Sequence, residues 1–151
     1  MDMKFSLALP REALSIPVIR RVLGDALRGL GVAEDCVGDI VVAASEACTN
    51  AVLHARATGD FHVAGRVDDD ICRLQITDGG RGPRKVPPPA PEEGDLAESG
   101  RGIRIMRALV DDLSIDSAPE QGTVVQMRKR LTWRDEALIR RLDRSLMHSA
   151  G

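Results

Sequence analysis

Three short stretches carry residue types that could build a ligand site. The first is Glu46-Ala47-Cys48-Thr49-Asn50-Ala51-Val52-Leu53-His54-Ala55, with a carboxylate at Glu46 and an amide at Asn50. Four residues apart on a helix, the two stack on one face, and His54 continues the row. A carboxylate and an amide on a mostly apolar helix need partners, because burying them unpaired is costly. Either they satisfy neighbouring backbone groups or they line a site. The second stretch, Asp78-Gly79-Gly80-Arg81-Gly82, is an acid leaving a strand into glycines. It is either a plain turn or a carboxylate at a pocket floor, with glycines that let a ligand approach closely. The third, Gly100-Arg101-Gly102-Ile103, is a glycine-rich helix opening. Unpaired N–H groups and the positive end of the dipole make such an opening an anion site. It follows neither the Walker A pattern nor the dinucleotide fingerprint. Taken in order, the three pieces read as a nucleotide site.

The elements that must position them follow from periodicity. Residues 3–9 alternate apolar and polar, the period of a half-buried strand, and Pro10 ends it. Residues 11–30 place Leu14, Val18, Val22, Leu23, Ala26, Leu27 and Leu30 on a helical stripe. Ser15 is a candidate cap with Pro17 in the first turn, so the regular helix is expected from about Ile16. Arg20, Arg21 and Arg28 lie on the other face, as a solvated surface or as a basic patch for an acidic partner protein; Gly29 and Gly31 break the helix. A longer helix is predicted over 33–56, with Glu34 or Asp35 at its N-terminus and an apolar centre at Ile40–Ala44. Residues 59–67 and 70–77 predict a hairpin turning at Asp68-Asp69-Asp70. The Pro-, Gly- and acid-rich run 83–99 has no periodicity, and its length suits a lid over a site better than a linker. A helix from Ser99-Gly100 to about Val110 and a closing hairpin (112–117 with 122–131) follow. Residues 134–147 predict a basic amphipathic helix, expected to pack on the domain.

A chain of 151 residues fits one domain with a real core. Its formal charge of −2 gives no argument for nucleic-acid binding. Phe5, Phe61 and Trp133 are the only aromatics, which argues against stacking on single strands and demands an aliphatic core. Cys36, Cys48 and Cys72 have no metal-binding spacing and fit small buried residues in a reducing interior. No signal peptide is legible, and no apolar run is expected to reach the roughly 20 residues of a bilayer span. The expected location is cytoplasmic, with no membrane partner.

In this order and spacing the three stretches resemble the ATP-binding domain of the GHKL superfamily, the Bergerat fold of gyrases and histidine kinases. Glu46–Asn50 resembles the N box, Asp78–Gly82 the first glycine box, Gly100–Ile103 the second, and Gly122-Thr123 the final Gly-Thr element. Within the superfamily, Glu-Ala-Cys-Thr-Asn-Ala-Val-x-His-Ala and Gly-Arg-Gly-Ile-x-Ile-Met resemble the small bacterial anti-sigma-factor serine-protein kinases. The resemblance implies an α+β two-layer sandwich, its mixed, mainly antiparallel sheet covered on one face by helices. It implies an ATPase domain over 1–131 with an ATP lid at 83–99, and a C-terminal helical extension over 132–151. It gives Glu46 the role of general base on the substrate serine, or of orienting the attacking group, and Asn50 that of holding Mg²⁺. Asp78 would read the adenine amino group, and Gly80 and Gly82 would admit the nucleotide. Gly100, Arg101, Gly102 and Ile103 would wrap the phosphates, and Thr123 would support the adenine end. The implied partners are a sigma factor and a STAS-type antagonist phosphorylated on serine, with Arg20 and Arg21 as contacts and a homodimer as the assembly. The alternative is an ATP-binding module that sequesters a partner without phosphoryl transfer.

Overall fold

The structure, a computed structural model, describes residues 2–53, 59–78, 93–118 and 122–134. His54, Gly80, Gly82, most of the expected lid and the expected C-terminal helix lie outside them. Strand β1 (Met3–Leu9) leads to helix α1 (Ser15–Leu30) and helix α2 (Glu34–Leu53). A hairpin of β2 (Phe61–Asp68) and β3 (Ile71–Asp78) follows, then helix α3 (Glu93–Leu109) and a second hairpin, β4 (Asp112–Ala118) and β5 (Gly122–Arg130). The five strands form one sheet in the order β1-β2-β3-β5-β4. Every pairing is antiparallel, so the parallel pair of a mixed sheet is absent among the described strands.

The sheet is two-sided by simple alternation. Along β2, Phe61, Val63, Gly65 and Val67 are buried and His62, Ala64 and Arg66 are exposed; β3 buries Cys72, Leu74, Ile76 and Asp78. The buried side meets Ile19, Leu23 and Leu27 of α1, Ile40, Ala43 and Ala47 of α2, and Met106 of α3 in one core. Gly65 has a packing reason to be glycine: a Cβ there would strike the Phe5 ring and come within 3.0 Å of a Leu74 methyl.

The ends of the elements have local causes. Ser15 is not a cap. Leu14 already has helical angles, whereas a cap needs an extended residue. The turn before α1 supplies its first acceptors: Ser15 N–H donates to Glu12 O and Ile16 N–H to Ala13 O. The Ser15 hydroxyl instead donates to Pro10 O at 2.6 Å. At the other end Gly31 alone stops α1, at φ 93°, while Gly29 stays inside the helix. Gly31 N–H bonds Arg28 O and Val32 N–H bonds Leu27 O, closing the last turn. The β2–β3 turn is the two residues Asp69-Asp70, both at positive φ, as a tight hairpin requires. After β5, Trp133 pairs with Val32 and its ring N–H donates to Asp70 at 2.8 Å, tying the α1–α2 turn to the hairpin tip.

Two further expectations change. Helix α3 begins at Glu93, seven residues before Gly100, so the irregular run ends earlier than 99. The segment Glu93–Ser99 contains Leu96, Ala97 and Glu98, good helix formers that outweigh Gly94. And α2, 20 residues long, has the length and hydropathy of a membrane span after all. Its face of Val37, Ile40, Ala44, Ala47 and Ala51 is core, which accounts for the hydropathy.

Candidate functional site

The last three turns of α2 gather the chemistry. Glu46 and Asn50 are half-buried on one face, as their spacing predicts. Helix α3 crosses that face at Gly102. A Cβ at Gly102 would sit 3.3 Å from Glu46 Oε2 and 3.6 Å from the Asn50 amide nitrogen. The glycine is therefore where two helices touch and where a carboxylate and an amide keep their room. Cys48, between them in sequence, points to the core, and burial pushes its thiol up to about 12, far from a nucleophile.

Asp78 ends β3 on the helix-facing side and is buried. Its partner is Arg11, which no motif announced. The Arg11 guanidinium donates through Nη2 to Asp78 Oδ1 and through Nη1 to Ala51 O, the latter at 2.8 Å. The side chains keep 11% and 5% of their exposure, so this is a buried ion pair. It ties the β1–α1 connection, the last turn of α2 and the end of β3 together. An arginine directly after the strand-ending Pro10 was the available signal, but its partner lies 67 residues away and nothing local names it.

The other candidates are placed as follows. Thr123, the second residue of β5, lies opposite Ser117, their hydroxyls 3.2 Å apart. The register that pairs Thr77 with Val124 brings Thr123 alongside Asp78. Arg101 is exposed and Ile103 packs against the core. Gly100, Arg101 and Gly102 lie well inside α3, where helix N–H groups are bonded to carbonyls four residues back. They are not the free donors of a helix start that the sequence suggested. Arg20 and Arg21 are exposed on α1, away from this site. A concavity of about 730 Å³ lies on the open face of the sheet, among Lys4, Arg66, Arg73 and Arg128, and does not touch the site either.

A two-layer α+β domain with a carboxylate and an amide on its central helix, a glycine against them and a buried aspartate at a strand end is a kinase-like ATPase architecture. Residues 9–129 match the histidine kinase-like ATPase domain, and the chain belongs to that family. Its relatives include the anti-sigma F factor of Bacillus licheniformis, 34% identical over 105 residues, which are 65% of this chain and 72% of that protein. The serine-protein kinase RsbW of Bacillus cereus is 30% identical over 137 residues, 83% of this chain and 84% of that one. Among solved structures, the crystal structure of the RsbU and RsbW domains of Rv1364c from Mycobacterium tuberculosis is similar, with a TM-score of 0.65 and 26% identity. That match covers 85% of this chain, which spans about a third (32%) of the solved one.

Proposed function

We propose that the protein is an ATP-dependent anti-sigma factor and serine-protein kinase. It sequesters a sigma factor, and it phosphorylates a STAS-type antagonist on serine. The observation that carries this reading is the meeting of Glu46, Asn50 and Gly102 on a helix whose last turn is tied through Arg11 to the buried Asp78, in a chain whose relatives bear the names anti-sigma F factor and serine-protein kinase.

The residues fit a magnesium nucleotide. Asp78 offers an acceptor at the floor for an exocyclic amino group, and the missing side chain at Gly102 keeps space beside Asn50. Asn50 would supply an oxygen ligand for Mg²⁺. When bound, ATP supplies the phosphoryl group, and Mg²⁺ offsets the charge of its phosphates. Glu46 takes the proton from the substrate serine as its oxygen attacks the γ-phosphorus and the bond to the ADP oxygen breaks. Thr123 supports the base end; Gly80 and Gly82 let the backbone approach. For Gly100, Arg101, Gly102 and Ile103 to offer backbone donors to the phosphates, the first turns of α3 must open, since those amides are otherwise used within the helix.

Partner binding uses α1, with Arg20 and Arg21 exposed for acidic groups on the partner. The assembly is a homodimer with the N-terminal strand and helix near its interface, and the setting is cytoplasmic. The test is labelled phosphate transfer from ATP to a purified STAS-domain antagonist. Glu46→Gln is expected to lower transfer by roughly a hundredfold or more, the scale of general-base catalysis, with ATP affinity little changed. Undiminished transfer would remove Glu46 as the base. ATP binding by the wild type with no transfer to any antagonist would leave a sequestering module.

A further inference from the structure

We infer that Arg11 is a specificity-determining residue of the nucleotide site, positioning Asp78 so that the pocket selects adenine over guanine. The inference rests on the reading of Asp78 as the base-recognising carboxylate.

The pair is built for position. Arg11 is held at two points, Asp78 Oδ1 and Ala51 O, by adjacent nitrogens of one planar guanidinium. The two contacts hold the planar guanidinium in place, and with it the one carboxylate oxygen that it touches. It occupies Oδ1 and leaves Oδ2 as the oxygen for a ligand. Its anchor, Ala51 O, follows Asn50 directly in α2, so base end and phosphate end are set from one helix turn. The third nitrogen, Nε, is buried without a hydrogen-bond partner among the described residues. A buried donor left unpaired is costly, and the strain of keeping it there calls for a functional account.

The chemistry of selection follows. A carboxylate facing a guanidinium is an acceptor only. It takes a hydrogen bond from the 6-amino group of adenine and opposes the 6-oxo group of guanine, two acceptors being set against each other. Without Arg11 the carboxylate loses its counter-charge and the contact that holds Oδ1. It is then free to turn away from the amino group, and discrimination falls. Sites that select by a polar contact discriminate more strongly than sites that select by shape, because the wrong ligand leaves a buried group unpaired.

The experiment is calorimetric titration of ATP and GTP, each with Mg²⁺, into the full chain. The variants are Arg11→Gln and Arg11→Met, two neutral replacements of different polarity, and Arg11→Lys as the conservative rescue. Melting temperatures identify the folded variants. The wild type is expected to prefer ATP. The folded neutral variant is expected to lose about tenfold or more of the ATP-to-GTP preference, on the scale of one hydrogen bond to a charged group. Arg11→Lys is expected to restore most of it. A folded neutral variant whose two affinities fall equally, with the ratio kept, would make Arg11 a structural residue only and overturn the inference. A wild type that binds ATP and GTP alike would overturn it too. A wild type that binds neither would remove the nucleotide reading itself, a result separate from the other two.

Discussion

Gly102 separates the two things a glycine can do in a helix. By propensity alone, Gly102→Ala should stabilise α3 by up to about 1 kcal/mol. Its methyl, however, would stand 3.3 Å from Glu46 Oε2, a tight contact, and fill the space beside the Asn50 amide at 3.6 Å. We therefore expect an unchanged or higher melting temperature together with at least roughly a tenfold loss of ATP affinity, read by thermal melting and calorimetry on the same sample. Unaltered affinity would mean that Gly102 is not at the ligand. At Asp78 the two effects run together: Asp78→Ala leaves the Arg11 guanidinium buried without its counter-charge, which should cost roughly 3–5 kcal/mol in a urea titration. The placement of Glu46 and Asn50 on one helix face and of Asp78 at a strand end was legible, because helix spacing and strand-to-glycine punctuation are local signals. Arg11 was not, because an ion pair between a loop and a distant strand end leaves no local pattern.

Elements were legible wherever one period dominated. Strand β1 and the two hairpins fell within a residue or two of their expected positions, since alternation and turn residues agree there. The start of α3 did not, because Pro, Gly and acids on its N-terminal side mask the helix formers at Leu96–Glu98. The sheet also holds a row no linear reading finds. Lys4, Arg66, Arg73, Arg128 and Asp112 are successive partners across all five strands on the open face. Asp68, in reach of Arg66 and Arg73, offsets part of that charge. On the other face, Gly65→Ala should lower stability by roughly 1–3 kcal/mol, the cost of overpacking, since Phe5 and Leu74 already fill the place of its side chain. Replacing Phe5 with Leu in the same chain should recover part of the loss; chemical denaturation of the single and double variants checks both.

At the scale of the molecule, the aliphatic core predicts its own pH limit. Burial holds the Cys48 and Cys72 thiols up at about 12, against an ordinary 9.0, and Cys36 near Cys72 adds to the latter. Above pH 9 the unfolded chain loses these protons and the folded chain keeps them. The unfolded state then binds fewer protons, so stability falls as pH rises, by roughly 1.4 kcal/mol per thiol per pH unit until the folded values are reached. Below that window the two thiols make no contribution to pH dependence. Urea midpoints at neutral pH and at pH 10 should separate the wild type from a Cys48→Ala/Cys72→Val variant, whose decline is shallower; equal slopes would contradict the assignment. The account as a whole depends on one site at the end of α2 taking a magnesium nucleotide, and calorimetric titration of ATP tests that most directly. Run with and without Mg²⁺ and beside Asn50→Ala, it should give saturable binding that needs the metal and weakens at least about tenfold in the variant. No heat of binding at millimolar ATP, or binding indifferent to both Mg²⁺ and Asn50, would contradict it.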